Sequence, residues 1–250
     1  LALALTVLTV EVVLSVIQIV IGDHNEEKWA TLVFAVPPGI AFALAGVVAV
    51  WRRPGNRTGV YLGAVGYLWF VGALAESNSD WLFTSSLLLQ SFAFIPFVLL
   101  MLSYPTGRLQ TRVQHIYVGV ATTALLVIPT LQLLLDRTPE HECVNGCRES
   151  TIAVIDSQRA SDLLSLIGGL VGIALVIWAG ALLIARWRAA SPAHRNALRL
   201  VLVTSGIAIG CLLVMNAADA VRPGTADTVS PLFLLAFAAV PISFLVGLLR

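Results

Sequence analysis

Ala49-Val50-Trp51-Arg52-Arg53-Pro54-Gly55-Asn56-Arg57-Thr58-Gly59-Val60 places three arginines and no acid in a tight turn between two long apolar runs. The pattern returns at Arg108 and Arg112, at Arg186, Arg188, Arg195 and Arg199, and at Arg250. These four points hold ten of the 15 Lys and Arg residues and not one Asp or Glu. The intervening loops, from Asp23 and Glu26 through Asp219 and Asp227, hold all of the 14 acidic residues except Glu11. Basic residues that flank lipid-embedded helices stay on the cytoplasmic side, because carrying them across during insertion is unfavourable. Strict alternation over the apolar runs therefore predicts a polytopic membrane protein with both termini in the cytoplasm.

Composition agrees. The chain is 58% hydrophobic and 12% charged, where soluble domains carry roughly 25% charge, and its mean hydropathy is +0.90. A helix needs roughly 20 apolar residues to cross a bilayer about 30 Å thick. Eight segments qualify: Leu1–Ile21, Ala30–Trp51, Thr58–Ala75, Trp81–Ser103, Gln114–Leu135, Leu163–Ala185, Leu198–Ala218 and Pro231–Leu249. A β-barrel would alternate polar and apolar residues at every second position, and these runs do not. The expectation is an all-α bundle of about eight transmembrane helices, a single domain over 1–250 in the cell membrane with lipid as its first partner. The first span is too long for a signal peptide and lacks a small-residue cleavage site. The chain opens within an apolar run on Leu1 and stops one residue after the last span, which suggests a domain cut from a longer protein.

The short connections 23–29, 51–57 and 76–80 make the first four helices antiparallel neighbours. Trp29, Trp51, Trp81 and Trp187 sit where spans meet loops, as interfacial rings do. Pro37-Pro38 removes two backbone donors from the second span, which should kink or break there, with milder bends at Pro96 and Pro241. Gly59 with Gly63, Gly168 with Gly172, and Gly206 with Gly210 are Gly-x-x-x-Gly pairs that let helix backbones approach closely, with packing inside one bundle the favoured reading.

Glu11 is the one acid deep in a span, where a charge costs at least ~2.5 kcal/mol. It is either a proton or ligand site, or a neutral carboxyl hydrogen-bonded to a neighbouring helix at Asn216 or Gln90. The loop Asp136–Asp162 is the longest on the outer side and the natural place for recognition; its apolar stretch Thr151–Ile155 reads as a short interfacial helix or strand. Cys143-Val144-Asn145-Gly146-Cys147 lies in that loop, where oxidising conditions favour a Cys143–Cys147 disulfide. Free thiols, or a metal site that adds His141, are the alternatives. Cys211 reads as a small packing residue. His24, His115, His141 and His194 are divided between the two sides and read as solvated loop residues. No catalytic motif, phosphate loop or dinucleotide fingerprint is present, so neither a catalytic residue nor a cofactor is assigned within these residues.

Two turns have a recognisable texture: Arg53-Pro54-Gly55-Asn56-Arg57-Thr58-Gly59, and Tyr104-Pro105-Thr106-Gly107-Arg108-Leu109 about fifty residues later. Together with Arg186-Trp187-Arg188 through Ser191-Pro192-Ala193-His194-Arg195, they resemble the amino-terminal membrane domains of sensor histidine kinases from actinobacteria, over nearly the whole chain. Tyr104 stands where that family more often has Phe. The resemblance implies that Pro54, Asn56, Gly59, Pro105, Gly107 and Arg108 are motif positions. It also implies a sensory input domain of a two-component system, a homodimer, and a cytoplasmic kinase region after Arg250. That region would use ATP and magnesium and address a response regulator; nucleic acid is not an expected partner. The resemblance further suggests a mechanism in which a stimulus alters packing around the Asp136–Asp162 loop and the second span, and the last helix passes the change on. A transporter or channel subunit is the main rival, and a membrane-embedded lipid-modifying enzyme the weaker one.

Overall fold

The computed structural model describes residues 1–23, 28–139, 148–189, 192–221 and 225–249, with backbone alone at 189, 192–198, 216–221, 225–229 and 249. Every regular element among them is helical. In chain order these are α1 (Ala2–Ile21), α2 (Lys28–Arg52), α3 (Arg57–Glu76), α4 (Asp80–Ser103), α5 (Arg112–Leu135), α6 (Gln158–Ala189), α7 (Pro192–Val221) and α8 (Thr225–Leu249). Among the described residues, seven helices are long and apolar enough to cross a membrane; in α7 the described apolar stretch, Arg199–Met215, is shorter. Arg53 and Arg108 mark the turns at 53–56 and 104–111, the basic end, whereas Glu76 and Asp80 flank the turn at 77–79 and Asp136, Glu149 and Asp156 lie between α5 and α6, the acidic end.

Local chemistry sets the helix starts. Asn56 caps α3 by accepting from the Thr58 N–H at 2.9 Å. Thr111 and Gln114 form a reciprocal capping box at α5, satisfying backbone donors that the first helical turn leaves open. Of the kink or break expected at Pro37-Pro38, the second span shows no break: helical geometry continues through the prolines. Its ladder widens to a π-helical turn over Thr31–Ala35, and the prolines then occupy the first positions of the α-helical stretch Val36–Arg52. Proline is tolerated at such positions because no intrahelical donor is needed there. Two other spans tighten instead to 3₁₀ geometry, α3 over Phe70–Glu76 and α4 over Gln90–Ala93, the latter just before Pro96.

The tightest helix crossing is α2 on α3. A Cβ on Gly46 would lie 2.3 Å from the Gly63 N and 2.9 Å from the Gly59 carbonyl oxygen, and one on Gly66 would lie 2.2 Å from the Ala43 N. Of the Gly59/Gly63 pair, Gly59 is therefore packed tightly inside the bundle, with a Cβ on it 2.7 Å from the Val50 N, whereas a Cβ on Gly63 would meet only Tyr67 Cε2 at 3.8 Å. The other two pairs differ: a Cβ at Gly172, Gly206 or Gly210 would meet nothing within 4 Å, and only Gly168 faces a neighbour, Ile128 Cγ2 at 3.0 Å. α8 packs on both α7 and α2, so the last helix lies beside the second. Phe42, Leu62, Leu100, Val240 and Phe244 are fully buried where these helices meet. Leu163, Leu166, Leu170, Ile173 and Ile177 leave α6 clothed in exposed apolar side chains.

At the acidic end, α6 begins at Gln158, so its polar first turn belongs to the helix and the preceding loop ends at 157. Thr151–Ile155 forms neither helix nor strand. The Val154 and Ile155 N–H groups donate to the Leu134 carbonyl, and Ser157 N–H to that of Leu135, satisfying acceptors at the end of α5. Ser150 Oγ donates to the Leu133 carbonyl, Thr151 N–H to Thr84 Oγ1, and Arg148 pairs with Asp23 at 2.8 Å.

Candidate functional site

Two places concentrate the chemistry, one at each end. At the basic end the two motif turns interlock. Asn56, fixed by its capping role, donates its Nδ2 amide to the Pro105 carbonyl at 2.8 Å. Gly107 is the one residue among those described with positive φ (71°), and a Cβ there would lie 2.5 Å from Asn56 Oδ1 and 2.8 Å from the Arg57 N. Glycine is needed on both counts. Gly59 is required differently, because a Cβ on it would lie 2.7 Å from the Val50 N across the turn. Arg186 donates from α6 to the Leu102 carbonyl, which ties the third basic region to the same place. Pro54 and Arg108 are exposed.

Tyr104 is 1% exposed, and its ring meets Phe244 of α8 edge-on at 4.9 Å. Burial pushes its phenol up to about 12, against the opposing pull of the Arg53 guanidinium. The Tyr104, Ser103 and Thr58 hydroxyls are buried without a hydrogen-bond partner among the described residues.

The second place is a cavity of about 240 Å³ toward the acidic end. All three irregular helical segments line it: Thr31 and Ala35 from the π turn, Phe70, Gly72, Ala73 and Glu76 from one 3₁₀ stretch, Gln90 and Ala93 from the other. α1 closes the wall with Ser15 and Ile19. Carbonyls of the π turn and of the first 3₁₀ stretch find side-chain donors nearby. Trp69 Nε1 donates to the Ala35 carbonyl at 2.8 Å, and Ser86 Oγ lies within bonding distance of the Val71 and Gly72 carbonyls. Gly39 makes this possible: a Cβ there would press on Phe70 Cζ at 2.7 Å and Trp69 Cδ1 at 2.8 Å. The Pro-Pro-Gly sequence thus seats the two aromatic rings that wall the cavity. Trp69 also packs on Phe237 of α8 at 5.2 Å.

A second cavity, of about 210 Å³, is apolar and lies among α4 to α8, with Met101, Tyr117, Leu175, Ala208 and Phe233 in its wall. Phe94 borders both cavities.

The sequence-derived candidates are distributed unevenly. Glu11 sits one helical turn from Ser15 and does not line the polar cavity. Its buried Oε2 has no hydrogen-bond partner among the described residues, and the expected bond to Gln90 is not formed. Cys143, Cys147, His141 and the Asn216 side chain lie outside the described residues. Cys211 is a free thiol, and among the described residues no three His, Cys, Asp or Glu side chains gather into a metal site. Trp69, Glu76 and Ser15 had no place in the sequence reading; the signal that pointed nearest to them was the Pro37-Pro38-Gly39 run opposite an aromatic pair. No family model matches the chain, and no match is found among the curated proteins or the solved structures.

Proposed function

We propose that this chain is the membrane-embedded input domain of a two-component sensor histidine kinase, inserted with its basic end in the cytoplasm and its acidic end outside. Seven helices apolar enough to span, and exposed Leu, Ile and Val rows such as those of α1 and α6, suit lipid as the surrounding solvent. The alternation of basic and acidic turns supports the orientation.

One observation carries the sensory reading: α8 touches both chemical sites. Phe237 packs on Trp69 at the wall of the polar cavity, and Phe244 meets Tyr104 at the interlocked turns. A ligand that discriminates between two packings of Trp69 would bias α8, and through it whatever follows. The test is phosphorylation of the natural full-length protein in proteoliposomes with labelled ATP. Incorporation that changes when Phe237→Ala uncouples α8 from Trp69 supports the proposal; a natural gene encoding no phosphotransfer region beyond residue 250 overturns it.

A transporter reading has one observation in its favour, since irregular helices around a polar cavity are also how carriers build substrate sites. Solute flux through the purified chain in liposomes distinguishes the two.

A further inference from the structure

We infer that the apolar cavity among α4 to α8 binds one acyl chain of a phospholipid from the leaflet at the basic end, with Arg186 holding the lipid's phosphate. The cavity occupies about 210 Å³, more than the roughly 150 Å³ of an apolar cavity that takes up benzene. Tyr117 brings the one polar side chain to its wall, and that hydroxyl already donates to the Leu175 carbonyl at 3.1 Å. A buried water needs at least about two polar partners, so this wall does not hold one. Small residues create the space: Ala121 on α5, Gly172 and Ala179 on α6, and Ala208 on α7. A Cβ on Gly172 would meet nothing within 4 Å.

Shape narrows the class to a single alkyl chain. On α4 the wall runs from Phe94 to Leu102, about 12 Å along the helix axis. Spread over that length, 210 Å³ leaves a bore of about 5 Å, room for one file of carbons whose contacts lie at about 3.5–4.0 Å. The bore runs along the helices, and its span approaches half of a hydrocarbon core about 30 Å thick. α6 packs on α5 and only sparsely on α7. Ile173 and Ile177 on α6 and Ile207 on α7 are exposed beside the wall, so a chain can enter from lipid through that seam. Lipid tails are as apolar as the wall, and burial there adds no hydrophobic drive. Dispersion contacts with wall atoms that otherwise lack neighbours, and a headgroup anchor, must supply the affinity.

Arg186 is that anchor. It lies about 10 Å beyond Ala179 along α6, toward the basic end, and donates to the carbonyl of Leu102, itself part of the wall. A guanidinium carries five N–H donors, and among the described residues Arg186 makes no other hydrogen bond and no ion pair. The remaining donors suit a phosphate, which a guanidinium grips bidentately. Phe233 and Phe237 add α8 to the wall, so the bound chain lies against the helix that also meets Trp69.

The inference goes beyond the input-domain reading and does not depend on it. The purified chain is reconstituted in phosphatidylglycerol liposomes carrying a small fraction of phosphatidylglycerol with a diazirine in one acyl chain. After illumination, labelled peptides are mapped by mass spectrometry. Labelling is expected at Met101 and Tyr117, which are 8% and 4% exposed and out of reach of lipid around the bundle. The exposed row Leu166, Leu170 and Ile177 of α6 reports ordinary lipid contact and serves for normalisation. Gly172→Leu, which fills the bore and keeps Arg186, should lower the internal labelling about tenfold or more, the scale of losing several methylene contacts. Gly180→Leu adds the same bulk off the wall, where a Cβ would meet nothing within 4 Å, and should leave it unchanged. Internal labelling should favour phosphatidylglycerol over diacylglycerol with the same photoreactive chain by about tenfold, the scale of one charge-assisted hydrogen bond. Arg186→Gln should erase most of that preference. Labelling confined to exposed faces, equal internal labelling by diacylglycerol or by the matching free fatty acid, or a preference that survives Arg186→Gln overturns the inference. So does internal labelling that persists in Gly172→Leu or falls equally in Gly180→Leu. If Arg186→Gln does not fold, the comparison with diacylglycerol in the unaltered chain and the Gly172→Leu result decide it.

Discussion

Replacing Gly46 by alanine tests how the bundle is held together. The new Cβ would stand 2.3 Å from the Gly63 N and 2.5 Å from its Cα, where ordinary contact begins near 3.4 Å. Both obstacles are backbone, so no side chain can swing aside; α2 and α3 must separate by about 1 Å over a crossing that also includes Ala43, Gly59 and Gly66. Overpacking of this kind costs about 1–3 kcal/mol, and a rigid obstacle puts it near the top of that range. Better helix propensity returns about 1 kcal/mol, leaving a net loss of about 2 kcal/mol. Reversible unfolding in mixed micelles, followed by tryptophan fluorescence, measures it. Gly63→Ala is the matched control: its Cβ would meet only Tyr67 Cε2, at 3.8 Å, and should cost less than about 1 kcal/mol. Gly180→Ala, with nothing within 4 Å, should be neutral or slightly stabilising. Equal stability of the Gly46 and Gly63 variants would refute the reasoning.

Asn56→Ala should cost about 1–2 kcal/mol, because it removes both the cap of α3 and the amide bond to Pro105. Gly107→Ala should be destabilising in the same unfolding assay, and less so in the Asn56→Ala background, where the obstructing Oδ1 is gone. The Tyr104 phenol, raised by burial to about 12 from an unfolded value near 10, favours the folded state while protonated. That contribution is complete below about pH 10 and is lost as pH climbs toward 12; Tyr104→Phe should flatten the dependence, checked by ultraviolet titration and unfolding together. Arg148→Ala should change stability by under about 1 kcal/mol, since its partner Asp23 is half exposed.

Hydropathy located the helices because it measures what lipid requires, and most of the spans it marked agree with the helix bounds to within a few residues. It missed the polar turn Gln158–Asp162 of α6, which is helical without being apolar. Pro37-Pro38 marked an irregular place in the second span, but not its form, a π turn just before the prolines that absorbs two missing donors without a break. Of the motif residues, Asn56, Gly59, Pro105 and Gly107 had local turn signatures, but nothing in either turn reveals that Asn56 reaches across 49 positions to Pro105. The polar cavity was less legible still. Glu76 looks like any loop acid, and only tertiary packing brings it beside Trp69, Gln90 and Ser15.

The account depends above all on which way the basic end faces. In a chain with Cys143, Cys147 and Cys211 replaced by serine, Arg108→Cys and Val154→Cys can be probed in intact cells with a membrane-impermeant maleimide. The account predicts labelling at position 154, which is 79% exposed at the acidic end, and none at position 108 until the membrane is permeabilised. Labelling of position 108 from outside intact cells would contradict the orientation and every role assigned from it.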